Sequence, residues 1–183
     1  MIELNRRSLV GISAFALSTL AGLRPDRAAR AEAAAGDAGF LNLALEFEHK
    51  AVAAYAIGAG SGLLSTNAML VAARFRGHHE QHRDLLIAGL KQLGVAPSQA
   101  MPQKEYAEAI KADLLRSETD VLSLACGMEK KAAQTYLGAI TTFADREHSV
   151  LAAKIAADEA MHWTALAGFL GRPLPEDALS FGA

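Results

Sequence analysis

Apolar residues recur at intervals of three and four along most of the chain, and polar residues fill the positions between them. This spacing is typical of amphipathic helices. No stretch alternates convincingly between apolar and polar residues, so strands are not predicted. Alanine, leucine, glutamate and lysine dominate the sequence after the first 35 residues, and all four are good helix formers. The pattern therefore predicts an all-α fold.

Glycine, proline and capping residues divide this pattern into four long helices. The predicted helices cover about residues 39–57, 65–94, 117–143 and 145–170. Ser65 or Thr66 would begin the second helix, and Asp145 is predicted to cap the fourth. A short amphipathic piece from Glu105 to Leu115 either stands alone or joins the third helix.

The four predicted helices repeat as two pairs. Helices one and three share the motif Glu-x-Lys-Ala-x-x-x-Tyr, which begins at Glu48 and again at Glu129. Helices two and four share Ala-Ala followed by a spaced polar pair, which is His79 with His82 in one and a Glu-x-x-His pair in the other. Chance explains matching alanines easily, but it explains matching glutamate, histidine and tyrosine poorly. We therefore interpret the chain as two related helix pairs.

Several of the polar residues in this repeat lie on apolar helix faces. On helix one, Glu48 falls in the middle of an apolar stripe, whereas Glu46 lies on the opposite side and is predicted to be solvated. The same test places six ionisable residues inward: Glu48, His79, His82, Glu129, Glu159 and His162. The remaining histidines of the helices, His49, His78 and His148, are predicted to lie at the surface. Burying so many ionisable groups is costly unless something compensates them, and a metal ion does so.

This arrangement resembles a known family. One carboxylate from each of two helices, with a Glu-x-x-His pair from each of the other two, is the ligand pattern of ferritin-like dimetal proteins. Over residues 39–171 the chain resembles the ferritin-like superfamily, in its rubrerythrin-like and exported branches. The resemblance implies an antiparallel four-helix bundle with a crossover connection between the helix pairs. It also implies a dinuclear metal centre, with iron as the metal. Tyr55 and Tyr136 lie where such proteins often place a tyrosine, and each is predicted to donate a hydrogen bond to a carboxylate.

His79 departs from the family pattern, which has glutamate at this position. Two divalent ions carry a charge of +4 and three carboxylates carry −3, so another anion must balance the remaining +1. A site with an additional imidazole ligand also suits zinc, copper or nickel better than a site with only oxygen ligands does. Iron is the metal that the resemblance implies, and manganese, zinc and copper are alternatives. One full site with a weaker second site, or a single metal ion, also remains open.

Residues 1–35 are predicted to be a twin-arginine (Tat) export signal, residues 36–171 the bundle and residues 172–183 a surface tail. The segment Asn5-Arg6-Arg7-Ser8-Leu9-Val10 has the twin-arginine pattern, and small residues near Ala31 to Ala35 offer cleavage sites. An uncleaved membrane anchor is the alternative, although the apolar stretch is short and weak for a span. The protein is therefore expected in the periplasm or otherwise exported, with the Tat machinery as a partner.

Composition narrows the function further. The formal net charge is −2 and the chain after the predicted signal has no basic run, so nucleic-acid binding is not predicted. The single cysteine, Cys126, excludes an intramolecular disulfide and any Cys-x-x-Cys electron-transfer module. Three functions stay open: an oxidase or peroxidase acting on O₂ or peroxide, a metal-sequestering or stress-protective module, and a structural bundle without metal. The sequence permits a homo-oligomer and does not decide it.

Overall fold

Five α-helices and one short 3-10 helix make up the protein in the computed structural model, which describes residues 27–178. No strand occurs within these residues, so the predicted all-α class is confirmed for this part of the chain. The helices are α1 (Arg27–Gly60), α2 (Thr66–Gln92), α3 (Gln103–Ala109), the 3-10 helix (Ala112–Leu114), α4 (Glu118–Ala139) and α5 (Arg146–Phe169). From Ala33 onward the chain forms one compact unit. The predicted twin-arginine motif lies outside the described residues.

Side-chain caps begin three of the long helices where the sequence predicts them. Ser65, Ser117 and Asp145 each accept a hydrogen bond from a backbone N–H in the first turn of the helix that follows. Such caps satisfy backbone donors that have no partner inside the helix. The starts of α2, α4 and α5 are therefore fixed locally, before any packing is considered.

Other helix boundaries differ from the prediction. Helix α1 begins at Arg27 rather than near Gly39, and none of residues 27–36 is buried. Alanine, arginine and glutamate in this segment favour a helix by intrinsic propensity alone. Helix α4 ends at Ala139 rather than Phe143, because the Ala139 carbonyl accepts hydrogen bonds from both the backbone N–H and the hydroxyl of Thr142, which close a turn. The predicted amphipathic piece is separate from α4, and a left-handed residue, Lys111, interrupts it.

The apolar core consists of two clusters, and each takes residues from all four long helices. The first contains, among others, Leu41, Leu45, Leu86, Leu90, Tyr136 and Ile155. The second contains, among others, Tyr55, Ala72, Phe75, Leu122, Cys126 and Leu166. On every long helix, the inward polar residues fall between the members of these two clusters. A polar layer is thus enclosed by apolar packing on both sides.

A second buried polar contact joins α1 to the start of α5. The Asp37 carboxylate accepts hydrogen bonds from the backbone N–H groups of Ala144 and Asp145, at 2.8 and 3.0 Å. Its Oδ2 atom also lies 2.8 Å from Nδ1 of His148. The prediction that His148 lies at the surface is therefore wrong, since its side chain is buried against Asp37.

None of the described helices combines the length and the apolar character that crossing a membrane requires.

Candidate metal centre

All six residues that the sequence places inward are buried. Their exposed fractions run from 0% for Glu159 and His162 to 4% for His82. Helix α1 contributes Glu48, α2 contributes His79 and His82, α4 contributes Glu129, and α5 contributes Glu159 and His162. The helical phase inferred from the sequence is therefore correct on each of the four helices.

The structure gathers these residues into two overlapping groups. One group is Glu48, His79, His82 and Glu159, and the other is His79, Glu129, Glu159 and His162. Within each group, one nitrogen or oxygen atom from every residue lies within 4.8 Å of the others. His79 and Glu159 belong to both groups, so the six residues form one continuous cluster. A metal ion could be held by either group.

His79 lies in the middle of the cluster, with its two ring nitrogens facing different carboxylates. Its Nδ1 is 2.8 Å from Oε2 of Glu48, and its Nε2 is 3.2 Å from Oε1 of Glu129. Its Nδ1 also lies 3.6 Å from Oε1 of Glu159. The one residue that departs from the family pattern thus occupies a shared, central position.

The other two histidines present the same ring nitrogen to the cluster. Nδ1 of His82 lies 3.2 Å from Oε1 of Glu159, and Nδ1 of His162 lies 3.2 Å from Oε2 of Glu159. Nδ1 of His162 also lies 3.4 Å from Oε2 of Glu129. The Nε2 atoms point away from the cluster. In both histidines, Nδ1 is therefore the nitrogen available to a metal ion.

Two residues that the sequence reasoning did not select hold the outer nitrogens. Oδ2 of Asp158 lies 3.1 Å from Nε2 of His82, and Nδ1 of His78 lies 2.9 Å from Nε2 of His162. His78 is half-buried and contacts a candidate ligand, so its predicted surface role is wrong. Each of these two residues stands immediately before the polar pair of its own helix and reaches the histidine of the opposite helix. Because Asp158 and His78 occupy equivalent positions in the repeat, the repeat is the sequence signal that could have identified both residues. Such outer partners fix the orientation and tautomer of a histidine ligand.

Each tyrosine of the repeat donates a hydrogen bond to the glutamate of the equivalent helix in the other half of the chain. The Tyr136 hydroxyl donates to Oε1 of Glu48 at 2.6 Å, and the Tyr55 hydroxyl donates to Oε1 of Glu129. The prediction that both donate to a carboxylate is confirmed. Because α1 and α4 exchange these bonds, the two glutamates are held in matched orientations.

The charges of the cluster compensate one another strongly. Burial alone raises the pKa of Glu48, but a hydrogen bond from His79 and the nearby ring of His82 outweigh it and hold the pKa at about 2. Burial alone lowers the pKa of His82, but Glu159 and Glu48 outweigh it and raise the pKa to about 10. The carboxylates likewise raise the pKa values of His79 and His162 despite burial. Without metal, protons on the histidines therefore take the place of positive ions.

Two buried atoms in the cluster have no hydrogen-bond partner among the described residues: Nδ1 of His82 and Oε1 of Glu159. They face each other at 3.2 Å, but without hydrogen-bond geometry. An unpaired buried polar atom is costly, and such atoms are uncommon in folded proteins. A metal ion that takes electron pairs from both atoms would remove this cost. Nitrogen and carboxylate oxygen donors suit divalent transition metals, so the residues present fit a metal centre.

Comparison with known proteins agrees with this geometry. The model that defines the ferritin-like domain matches residues 36–172 of the chain. The chain belongs to the ferritin-like domain family. Among solved structures, this ferritin-like chain is similar to a conserved hypothetical protein from Mycobacterium tuberculosis, with a TM-score of 0.64 and 22% sequence identity. The similarity covers 80% of this chain and 99% of that one, and it shows a shared fold. No curated protein matches the chain.

Proposed function

We propose that this ferritin-like protein is exported and binds two metal ions, with iron as the metal, for an oxidase or peroxidase reaction with O₂ or peroxide. The observation that carries the proposal is the pair of overlapping buried groups that share His79 and Glu159. Shared residues bring two ions close together, as a dinuclear centre requires. The unpaired atoms of His82 and Glu159 lie where one of these ions would bind.

We further propose that the four long helices form an antiparallel bundle, with a crossover connection between α2 and α4. The two core clusters support this arrangement. The first cluster combines the earlier parts of α1 and α5 with the later parts of α2 and α4. The second combines the later parts of α1 and α5 with the earlier parts of α2 and α4. Helix α1 would therefore run opposite to α2 and α4 and in the same direction as α5, and the crossover would let α2 and α4 run in the same direction.

In the proposed centre, Glu48 and His82 would hold one ion, and Glu129 and His162 the other. Glu159 and His79 would reach both, because each belongs to both groups. When bound, two iron ions would supply the electrons for reducing O₂ or peroxide. Iron is proposed over zinc and copper because three carboxylates make the site rich in oxygen donors and because the family resemblance implies it.

The surrounding residues would orient the ligands and exclude water. Tyr136 and Tyr55 fix the carboxylates of Glu48 and Glu129 by donating hydrogen bonds. Asp158 keeps His82 turned so that Nδ1 faces the cluster. The two apolar clusters close the layer on both sides, which limits the approach of bulk water. Rigidly held ligands of this kind suit an ion that changes its charge during a reaction cycle.

The experiment that tests the reaction is anaerobic loading with Fe(II), followed by exposure to O₂ or peroxide. We expect the chain to consume the oxidant in proportion to bound iron, with a change in the visible absorption spectrum. Protein that retains iron without consuming either oxidant would point to metal sequestration. Protein that binds no metal, with a stability that chelators do not change, would point to a structural bundle. Turnover would need an external electron donor, since the sequence has no Cys-x-x-Cys module.

Export rests on the twin-arginine segment, which precedes the described residues. Cleavage near Ala31 to Ala35 would remove only residues of α1 that are not buried, so the residues of both core clusters would remain. Replacing Arg6 and Arg7 with lysine should leave the full-length chain in the cytoplasm of an expressing bacterium. Mass spectrometry of the periplasmic fraction would identify the mature N-terminus, and equal export of both forms would contradict the Tat route.

A further inference from the structure

A surface groove of about 370 Å³ runs between α1 and α4. Its lining residues are Phe47, Lys50, Ser123, Leu124, Gly127, Met128 and Lys131. Two of these residues carry a charge, and both charges are positive. The proposed reaction does not yet account for this groove.

A smaller cavity of about 10 Å³ lies next to the groove and reaches the cluster itself. It is lined by three candidate ligands, Glu48, His79 and Glu129, together with small alanine side chains. Phe47 and Met128 line both the groove and this cavity. These two residues, the gate residues, therefore separate the surface groove from the cluster. The cavity is close to the smallest volume that holds one water molecule, so only a small molecule could enter it.

The walls of this route come from equivalent positions of the two halves of the chain. Phe47 stands immediately before Glu48, and Met128 stands immediately before Glu129. Lys50 and Lys131 each follow the same glutamates by two positions, in the shared Glu-x-Lys motif. The repeat thus places one gate residue and one lysine on each side of the groove.

The two lysines of the groove can interact with a charged molecule that enters it. Within residues 27–178, the ion pairs of lysine and arginine are made by Arg76, Arg83 and Lys104. Lys50 and Lys131 therefore have no carboxylate partner in the described chain. Positive charges at the mouth of a cleft raise the local concentration of anions and repel cations. The groove is consequently suited to an anion and unsuited to the entry of metal ions.

We propose that the groove between α1 and α4 is the access route by which a small anion reaches the metal centre, with Lys50 and Lys131 attracting it and the gate residues admitting it. This inference rests on the proposed function, because the anion's destination is the pair of metal ions. Two divalent ions and three carboxylates leave a charge of +1, which a single monovalent anion neutralises. The route leads to the side of the cluster formed by Glu48, His79 and Glu129.

The test uses the chain loaded with Co(II), whose visible spectrum reports ligand binding whatever the native metal, and azide as the probe anion. Cobalt content is measured first, and rapid mixing then gives the rates of azide binding and release. A unit charge about 7 Å from the path changes the local anion concentration about threefold in water. Lys50→Gln with Lys131→Gln should therefore slow azide binding about tenfold at low salt. Lys130→Gln removes an exposed charge from the same helix outside the groove and should change the rate much less.

A variant of the gate gives an independent measurement. Met128→Ala should raise the rates of azide binding and release together, since it opens the path without altering the ligands, and Met128→Leu should change neither rate much. If the double lysine variant binds azide as fast as Lys130→Gln while its cobalt content is normal, this inference is overturned and the metal site stands. If the unaltered chain binds no cobalt, the proposed function fails, and the inference fails with it.

Discussion

Metal binding should release protons, because protons on the histidines balance the carboxylates in the metal-free cluster. In the experiment, two equivalents of Co(II) are added to metal-free protein at pH 7. Three carboxylates face three histidines in the cluster, and the carboxylates raise the pKa of each histidine despite burial. A histidine must be deprotonated before a ring nitrogen can bind a metal ion.

The number of protons follows from these pKa directions. The pKa of His82 is raised to about 10, so this residue is almost fully protonated at pH 7. Because the pKa values of His79 and His162 are also raised, filling the site should release more than one proton per chain. Three histidines with the ordinary pKa of about 6.5 would together release only about 0.7 protons at this pH. The apparent metal affinity should accordingly rise more than about tenfold for each pH unit near neutrality.

Isothermal titration calorimetry measures the release directly, when the same titration is repeated in buffers with different heats of ionisation. His49→Gln is the matched control, since His49 lies outside the cluster and contacts the Ser98 carbonyl. The control should release the same number of protons as the unaltered chain. A release below one proton per pair of ions would show that the histidines are neutral without metal, and the electrostatic account of the cluster would be refuted.

Three further predictions concern the metal-free protein. It should lose stability as pH rises from about 6.5 towards 10, because His82 has a raised pKa in the folded state and loses its stabilising charge over that range. Denaturant titrations at several pH values, with chelator present, would measure this loss. Tyr136→Phe should lower the unfolding free energy by about 1–2 kcal/mol, since Glu48 loses a buried hydrogen bond, and an unchanged midpoint in urea would contradict this. Asp37→Asn should cost about 1–3 kcal/mol at pH 7 and less in acid, because the lowered pKa of Asp37 gives stability that is fully present above the ordinary value of 3.8 and is lost as pH falls below it. Equal losses at pH 7 and pH 3 would contradict the contact with His148.

Helical phase made the inner cluster predictable from sequence. A residue such as Glu48, placed at the spacing of an apolar stripe, can point only into the core once the stripe is buried. The repeat then identified its partners, because Glu129 stands at the same place in a second copy. Periodicity and repetition are local or internal properties of a sequence, so they were accessible before the fold was known.

Contacts between helices could not be predicted from the sequence in the same way. Asp158 and His78 lie off the inward face of their own helices, and they reach a histidine across the helix interface. The phase of a single helix cannot predict such contacts. His148 was misplaced for a related reason, since its partner Asp37 precedes the predicted start of helix one. The early start of α1 reflects helix propensity in a segment that overlaps the predicted export signal.

The amount of metal bound per folded chain decides whether this cluster of six residues holds two metal ions. We expect two ions per chain in the unaltered protein and in Glu46→Ala, because Glu46 is exposed and lies outside the cluster. Glu159→Ala should lose both ions, since Glu159 belongs to both groups, whereas Glu129→Ala should mainly lose one. Circular dichroism would establish that each variant is folded. Equal metal content in all four proteins, or no metal in any of them, would contradict the account.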